Sequence, residues 1–109
     1  SDIPVPFLAP LGGGEIKVTC RRLTDQTRPS IHNDADGIEC RYIFVPKGEK
    51  PPRSWEDCSK TQTSKKARFI INCGVRNAGH SFYGFFHWVN LTNPTNSGPW
   101  TNAQGAVIA

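Results

Sequence analysis

The sequence predicts an all-β fold, a small antiparallel β-sandwich or barrel of five to seven strands with two disulfides. Apolar and polar residues alternate over several short stretches, which is the period of a half-buried strand. Ten glycines and nine prolines in 109 residues break these stretches into segments joined by turns. No segment repeats apolar residues at the spacing of a helix over about a dozen positions. Together these observations favour short strands in one antiparallel domain.

The first residues differ in composition from the rest of the chain. Residues 1–14 contain several prolines and a triple glycine, so they predict an extended N-terminal arm or a loose first strand. Residues 15–109 then form the single disulfide-stabilised β domain. An alternating strand begins this domain, and its apolar side chains share one face: Ile16, Val18 and Cys20.

The remaining elements follow from the same alternation and from the turn residues between them. Residues 25–37 are polar and turn-rich and lead into a strand over 38–45. The next segments are a basic proline-rich loop (46–54), a short anchor (55–58), a polar loop (59–66) and strands at 67–73 and 81–91. A turn-rich connection over 93–105 precedes a closing strand at 105–109.

The segment HSFYGFFHWVN, residues 80–90, holds five aromatic rings and two histidines. In an extended strand His80 and His87 lie on opposite faces, unless a bulge at Gly84 shifts the register. Two histidines that act as an acid–base pair must converge on one group, and this spacing disfavours that. The segment therefore predicts a central strand that is packed on both faces.

Four separated cysteines, with no pair close in sequence, predict two disulfides and an oxidising compartment. Three pairings are possible, and free buried thiols are the alternative. Asn90-Leu91-Thr92 is a glycosylation sequon and also points to a secretory route. The chain lacks methionine, which we interpret as the result of a cleaved secretion signal. The cysteines are Cys20, Cys40, Cys58 and Cys73.

Charge is distributed unevenly around the net value of +4. Residues 41–76 hold nine Lys/Arg against three Asp/Glu, whereas residues 77–109 hold none of these four types. The basic middle would attract nucleic acid, anionic glycan or a host protein. The uncharged last third could pair through a sheet edge, which predicts a monomer or a weak homodimer. Our predicted contact residues are Arg53, Trp55, Lys65, Lys66 and Arg68.

Catalytic and metal sites have weaker support in the sequence. A ribonuclease-like hydrolase would need His or Glu beside a cation around a phosphate. The candidate groups are His32, His80, His87, Glu39 and Glu56, but no local motif arranges them. Residues 32–37 begin like a calcium loop, yet Ile43 stands where a bidentate acid is required. We predict no metal and no cofactor, and leave enzymatic activity open as the less favoured alternative.

One stretch resembles a known family. Cys40-Arg41-Tyr42-Ile43-Phe44, then Trp55-Glu56-Asp57-Cys58, then Phe69-Ile70-Ile71 resembles small secreted fungal proteins, nearest to the Alternaria-allergen-like β-barrel family of effectors and elicitors. The resemblance covers residues 38–72. It implies a disulfide between Cys40 and Cys58, which leaves Cys20 with Cys73.

The leading hypothesis for function is a secreted, non-enzymatic binding protein of effector or elicitor type, with a role in virulence. Its loops at 25–37, 46–54 and 59–66 would contact a host macromolecule, because loops on a rigid frame suit recognition. The alternatives are a ribonuclease-like hydrolase and an antimicrobial or carbohydrate-binding protein.

Overall fold

The computed structural model describes residues 2–109, which form an all-β sandwich. Two antiparallel sheets of four strands each make up the two layers. The all-β antiparallel class predicted from the sequence is confirmed. The strands are β1 (Pro4–Gly12), β2 (Glu15–Arg22), β3 (Asp25–Pro29), β4 (Gly37–Val45), β5 (Lys60–Ser64), β6 (Arg68–Asn72), β7 (Ser81–Val89) and β8 (Gln104–Val107).

The two sheets differ in how their strands are ordered. In the first sheet β1 pairs with β2, and β2 pairs on its other side with β3 at one end and with β6 along the rest. In the second sheet the order is β5-β4-β7-β8, so β4 and β7 are central. Among the described residues there are no α-helices, only short 3-10 turns at Trp55–Asp57, Val75–Asn77 and Pro94–Asn96. The part of the chain described here has no helix with the length and hydropathy that crossing a bilayer requires.

The core lies between the two sheets and follows the alternation of the sequence. The inward-facing side chains of β2 are completely buried, while Glu15, Lys17 and Arg21 on the same strand are exposed. Apolar burial of this kind is the main stabilising term for a domain of this size. The buried core residues are Ile16, Val18, Cys20, Ile38, Cys40, Ile71, Cys73, Phe82, Phe86, Trp88 and Ile108.

Strand β7 is central and packed on both faces, as the sequence predicts. Its register with β4 runs without a shift from Ser81 to Val89, so there is no bulge at Gly84. Phe82 and Phe86 face the core, whereas His87 faces outward and is 8% exposed. His80 lies just before the strand. A Cβ on Gly84 would approach the Phe82 ring at 3.0 Å, so the absence of a side chain there makes room for the ring.

The sequence prediction of five to seven strands is wrong, because residues 2–109 form eight. Strand β3 lies within the predicted polar turn at 25–37, and β5 lies within the predicted polar loop at 59–66. Both are short and made of polar residues, so neither shows the apolar alternation that identifies a half-buried strand. Near the start of the chain, Pro4–Gly12 form β1, which pairs with β2 over most of its length.

The two predicted disulfides are not formed, and all four cysteines are buried free thiols. The register of β2 and β6 explains why Cys20 and Cys73 cannot bond. Cys73 donates its N–H to the Gly14 carbonyl at one end of the strand pair. Cys20 lies six residues further along, roughly 20 Å at about 3.3 Å per residue, whereas bonded cysteines need Cα atoms within about 7 Å.

The pairing of Cys40 with Cys58 is also wrong. On β5 the partner of Cys40 is Gln62, and Lys60 is the partner of Tyr42. Cys58 comes two residues before Lys60, so it lies outside the paired part of β4 and β5. Cys40 and Cys58 are both buried free thiols, so the pairing that the resemblance implies is not formed.

Burial controls the acid–base chemistry of these thiols. It raises the pKa of Cys20 to about 12 and that of Cys73 to about 11. The pKa of Cys40 is also raised well above its usual value, first by burial and then by the neighbouring thiols of Cys20 and Cys58. A buried thiolate has lost its hydration, so the neutral thiol is favoured.

These raised pKa values predict a loss of stability at alkaline pH. Above the unfolded thiol pKa of about 8.5 the unfolded chain releases protons that the native chain retains, so the free energy of unfolding falls as pH rises. We expect a fall of about 1.4 kcal/mol per pH unit for each such thiol, up to its folded pKa. Urea unfolding from pH ~8 to pH ~11 measures this. A free energy of unfolding that does not change with pH would contradict this expectation. An intact mass lower by two hydrogens for each cysteine pair would then show that the cysteines are bonded as disulfides.

Candidate functional site

The outer face of the second sheet carries a hydrogen-bonded Glu–His pair. The register of β4 and β7 places Glu39 opposite His87. The Glu39 Oε1 atom lies 2.7 Å from His87 Nε2, and the Gly98 carbonyl oxygen lies 2.9 Å from His87 Nδ1. Thr61 donates its hydroxyl to the other Glu39 oxygen at 3.2 Å. Both nitrogens of the ring therefore face acceptors.

Two tryptophans cover this pair. Trp100 stacks on the His87 ring with centroids 3.6 Å apart, and Trp55 stacks on Trp100 at 5.1 Å. The Arg41 guanidinium lies 5.1 Å from the centre of the Trp55 ring, within cation–π range. We call the four residues His87, Trp100, Trp55 and Arg41 the aromatic column. Both faces of Trp100 are covered, so its indole presents no open platform to a ligand.

This geometry bears on the ribonuclease alternative. Of the catalytic candidates named from the sequence, it joins Glu39 with His87 and leaves His80 apart. A catalytic histidine needs a ring nitrogen that can exchange a proton with substrate. Both His87 nitrogens already face protein acceptors, and the ring is stacked under Trp100. The Glu39–His87 hydrogen bond therefore stabilises the packing on the outer face of β7.

The aromatic column makes a prediction about stability. Trp100→Ala removes the ring that covers His87, and we expect it to lower the free energy of unfolding by about 2–4 kcal/mol. Trp55→Ala removes only the outer member of the stack and is expected to cost about 1–2 kcal/mol. Urea unfolding monitored by circular dichroism measures both. Equal losses, or a larger loss for Trp55→Ala, would show that the stack does not cover His87 in solution.

The outer face of the first sheet forms an open groove of about 490 Å³. Phe7 of β1, Thr19 of β2 and Arg68 of β6 lie in one row across three strands. Lys17 and Arg21 flank Thr19 on the same face of β2, because residues two apart on a strand point the same way. We call this surface the cationic groove, lined by Val5, Pro6, Phe7, Lys17, Thr19, Arg21, Gln26, Pro29 and Arg68.

The groove combines positive charge with an exposed aromatic ring. Phe7 is 70% exposed, although a ring of this size usually contributes to a core. Within residues 2–109 no Asp or Glu lines the groove, so its three cations have no carboxylate beside them there. Glu15 lies on the same strand face beyond Lys17, outside the groove. The surface therefore suits a ligand with negative charge and flat apolar groups.

The structure divides the five predicted contact residues between the two sheets. Arg68 lies in the cationic groove. Lys65 and Lys66 lie in the exposed turn that leads into β6. Trp55 belongs to the aromatic column, and Arg53 is exposed on the loop just before it, where its N–H binds Asp57 Oδ2 at 3.3 Å. The five residues therefore do not form one surface.

Of the residues that line the groove, sequence reasoning identified only Arg68 and missed its aromatic ring and its two other cations: Phe7, Lys17 and Arg21. The alternation of β2 places Lys17 on the face opposite its buried residues. Continuing the same alternation for four residues along the strand reaches Arg21. Alternation does not identify Phe7, because the composition of residues 1–14 predicts only an arm or a loose strand. Only its pairing with Thr19 brings the ring into the basic face.

The predicted glycosylation site, Asn90, directly follows β7. Its side-chain oxygen accepts a hydrogen bond from the Asn93 N–H at 2.8 Å, and Leu91 and Thr92 are exposed. The side-chain nitrogen, which is the atom that carries a glycan, takes no part in that bond.

Comparison of the chain with models of known protein families and with curated proteins found no match.

Proposed function

We propose that this chain is a non-enzymatic binding protein that holds single-stranded nucleic acid in the cationic groove. The observation that carries the proposal is the exposed Phe7 ring among Lys17, Arg21 and Arg68, in a groove without a carboxylate among the described residues. Single-strand binders combine cations that follow the phosphates with aromatic rings on which bases stack. The outer surface of β1, β2 and β6 offers both along one face.

The structural support for this class of ligand comes from each part of the groove. Lys17, Arg21 and Arg68 would contact phosphates, and arginine can do so with two parallel hydrogen bonds. Phe7 would stack on one base, which contributes about 1–3 kcal/mol in proteins of this kind. Lys65 and Lys66, in the turn before Arg68, would extend the contact along the strand. A sugar polymer would use the cations, but it has no planar base that could stack flat on the Phe7 ring.

The wider setting of this function is part of the same proposal. We infer a secreted effector or elicitor of fungal type that acts in virulence on a host macromolecule, as a monomer or a weak homodimer. The resemblance over residues 38–72 and the accessible sequon at Asn90 support this setting. The net charge of +4 supports attraction to a polyanion.

A binding titration tests the proposal. We expect fluorescence anisotropy to show binding of a labelled single-stranded oligonucleotide, with an affinity that falls as salt rises. The slope of log K against log salt is about −0.7 per phosphate contacted, so the three groove cations alone predict roughly −2, and contacts by Lys65 and Lys66 would make it steeper. The same titration with duplex DNA and with a sulfated polysaccharide provides the comparison.

The outcome depends on which polyanion binds best. Tighter binding of the single strand than of the duplex or the polysaccharide supports the proposal. Equal binding of all three would mean that charge alone acts and that Phe7 does not stack. No binding to any of them at low salt would overturn the proposed function.

A further inference from the structure

Thr19 lies at the centre of the cationic groove. Its partners in the sheet are Phe7 on one side and Arg68 on the other. Neighbouring strands are about 4.8 Å apart, so these three residues form a row about 10 Å wide with Thr19 in the middle. Along β2, Lys17 and Arg21 flank Thr19 on the same face, each about 7 Å away. The Thr19 side chain is half-buried and its four neighbours in the groove are exposed.

The hydroxyl of Thr19 is available to a ligand. Within residues 2–109 the threonine hydroxyls that form hydrogen bonds belong to Thr24, Thr27, Thr61, Thr95 and Thr101, so that of Thr19 is free. The other uncharged polar side chain that lines the groove, Gln26, donates its Nε2 to the Leu23 carbonyl oxygen at 3.3 Å. A free hydroxyl can both donate and accept a hydrogen bond. A ligand could therefore bond to Thr19 without displacing a contact within the protein.

The position of Thr19 matches the position of a sugar in a bound strand. In a nucleotide the sugar joins the base to the phosphate, and along a strand each sugar lies between two phosphates. Across the sheet, Thr19 lies between the ring on which the base would stack and the Arg68 guanidinium. Along β2 it lies between two phosphate-binding cations, Lys17 and Arg21. Both directions place the sugar over the Thr19 hydroxyl.

We propose that the cationic groove selects RNA over single-stranded DNA, because the Thr19 hydroxyl bonds the 2′-hydroxyl of the ribose whose base stacks on Phe7. The inference rests on the proposed binding of single-stranded nucleic acid and names its kind. The 2′-hydroxyl, which donates and accepts, is the group by which a protein tells RNA from DNA. A deoxyribose presents only C–H groups to Thr19. One neutral hydrogen bond corresponds to about a three- to tenfold difference in affinity.

Anisotropy titration with labelled oligouridylate and oligodeoxyuridylate of equal length tests the inference, since the two differ only in the 2′-hydroxyl. We expect the wild-type protein to bind the RNA about three- to tenfold more tightly. Thr19→Val keeps the shape of the side chain without its hydroxyl. It should lower the affinity for the RNA to that for the DNA and leave the affinity for the DNA unchanged. Thr19→Ser keeps the hydroxyl and should retain the preference for RNA.

Thr63→Val is the matched control, because Thr63 is an exposed strand threonine outside the groove. It should keep the full preference for RNA, and circular dichroism checks that each variant is folded. Equal affinity of the wild type for the two oligonucleotides would overturn the inference and leave the proposed function standing. A preference that is unchanged in Thr19→Val, or an equal loss for both oligonucleotides, would overturn it as well. No binding of either oligonucleotide would overturn the proposed function and the inference together.

Discussion

Replacing Arg21 and Arg68 together by glutamate is expected to lower the affinity for a single-stranded oligonucleotide by about a hundredfold or more. Each arginine is exposed in the cationic groove and positioned to make a charge-assisted hydrogen bond to phosphate. Such a bond contributes about 1.5–3 kcal/mol, and about 1.4 kcal/mol corresponds to a factor of ten in affinity. Two reversed charges also repel the remaining phosphates. Anisotropy titration at fixed salt measures the loss.

The matched control is the double reversal of Lys47 and Lys50, which changes the net charge equally on the exposed loop at 46–54. It should weaken binding far less, because neither residue lines the groove. Phe7→Ala should weaken single-strand binding about tenfold by removing one base stack, with little loss of stability because the ring is exposed. Equal losses from the two double reversals would contradict the assignment of the groove.

Gly14→Ala is expected to destabilise the protein by at least about 3 kcal/mol. Gly14 has a φ of +79°, which costs an L-residue about 1–2 kcal/mol. A Cβ there would also collide with the backbone of Gly74, which cannot move without the segment after β6. The Gly14 carbonyl accepts from Cys73 at 2.7 Å and its N–H donates to Ala109 at 2.9 Å, so both bonds would be strained. Urea unfolding measures the loss.

Gly13→Ala separates the two causes of this effect. Gly13 also has a positive φ, of +62°, but no atom lies within 4 Å of the position of its Cβ. Gly13→Ala should therefore lower the free energy of unfolding by about 1 kcal/mol, which is the cost of the backbone strain alone. Equal losses of stability from Gly13→Ala and Gly14→Ala would mean that a Cβ at position 14 does not collide with the backbone of Gly74 in solution.

Much of the fold was predictable because alternation reports which face of a strand is buried. The alternation of Ile16, Val18 and Cys20 gave both the strand and its buried face, and the rings on both parities of residues 80–90 gave a central strand. Strands β3 and β5 were missed because their residues are polar on both parities, so pairing with a neighbour, not burial, defines them.

The candidate site was less predictable, because alternation within one strand says nothing about its register with another. The predicted disulfide between Cys20 and Cys73 is wrong for this reason, since the two residues share a buried face but lie at opposite ends of their strand pair. Phe7 and Arg68 are 61 positions apart, and only the pairing of both strands with Thr19 joins them. The Glu39–His87 pair likewise depends on the register of β4 with β7.

The most direct measurement is the chemical-shift map of the labelled protein titrated with a single-stranded oligonucleotide. We predict that the largest changes fall on β1, β2 and β6, with Phe7, Lys17, Arg21 and Arg68 at their centre. Changes confined to the loop at 46–54 and the aromatic column, with β1, β2 and β6 unmoved, would contradict the account.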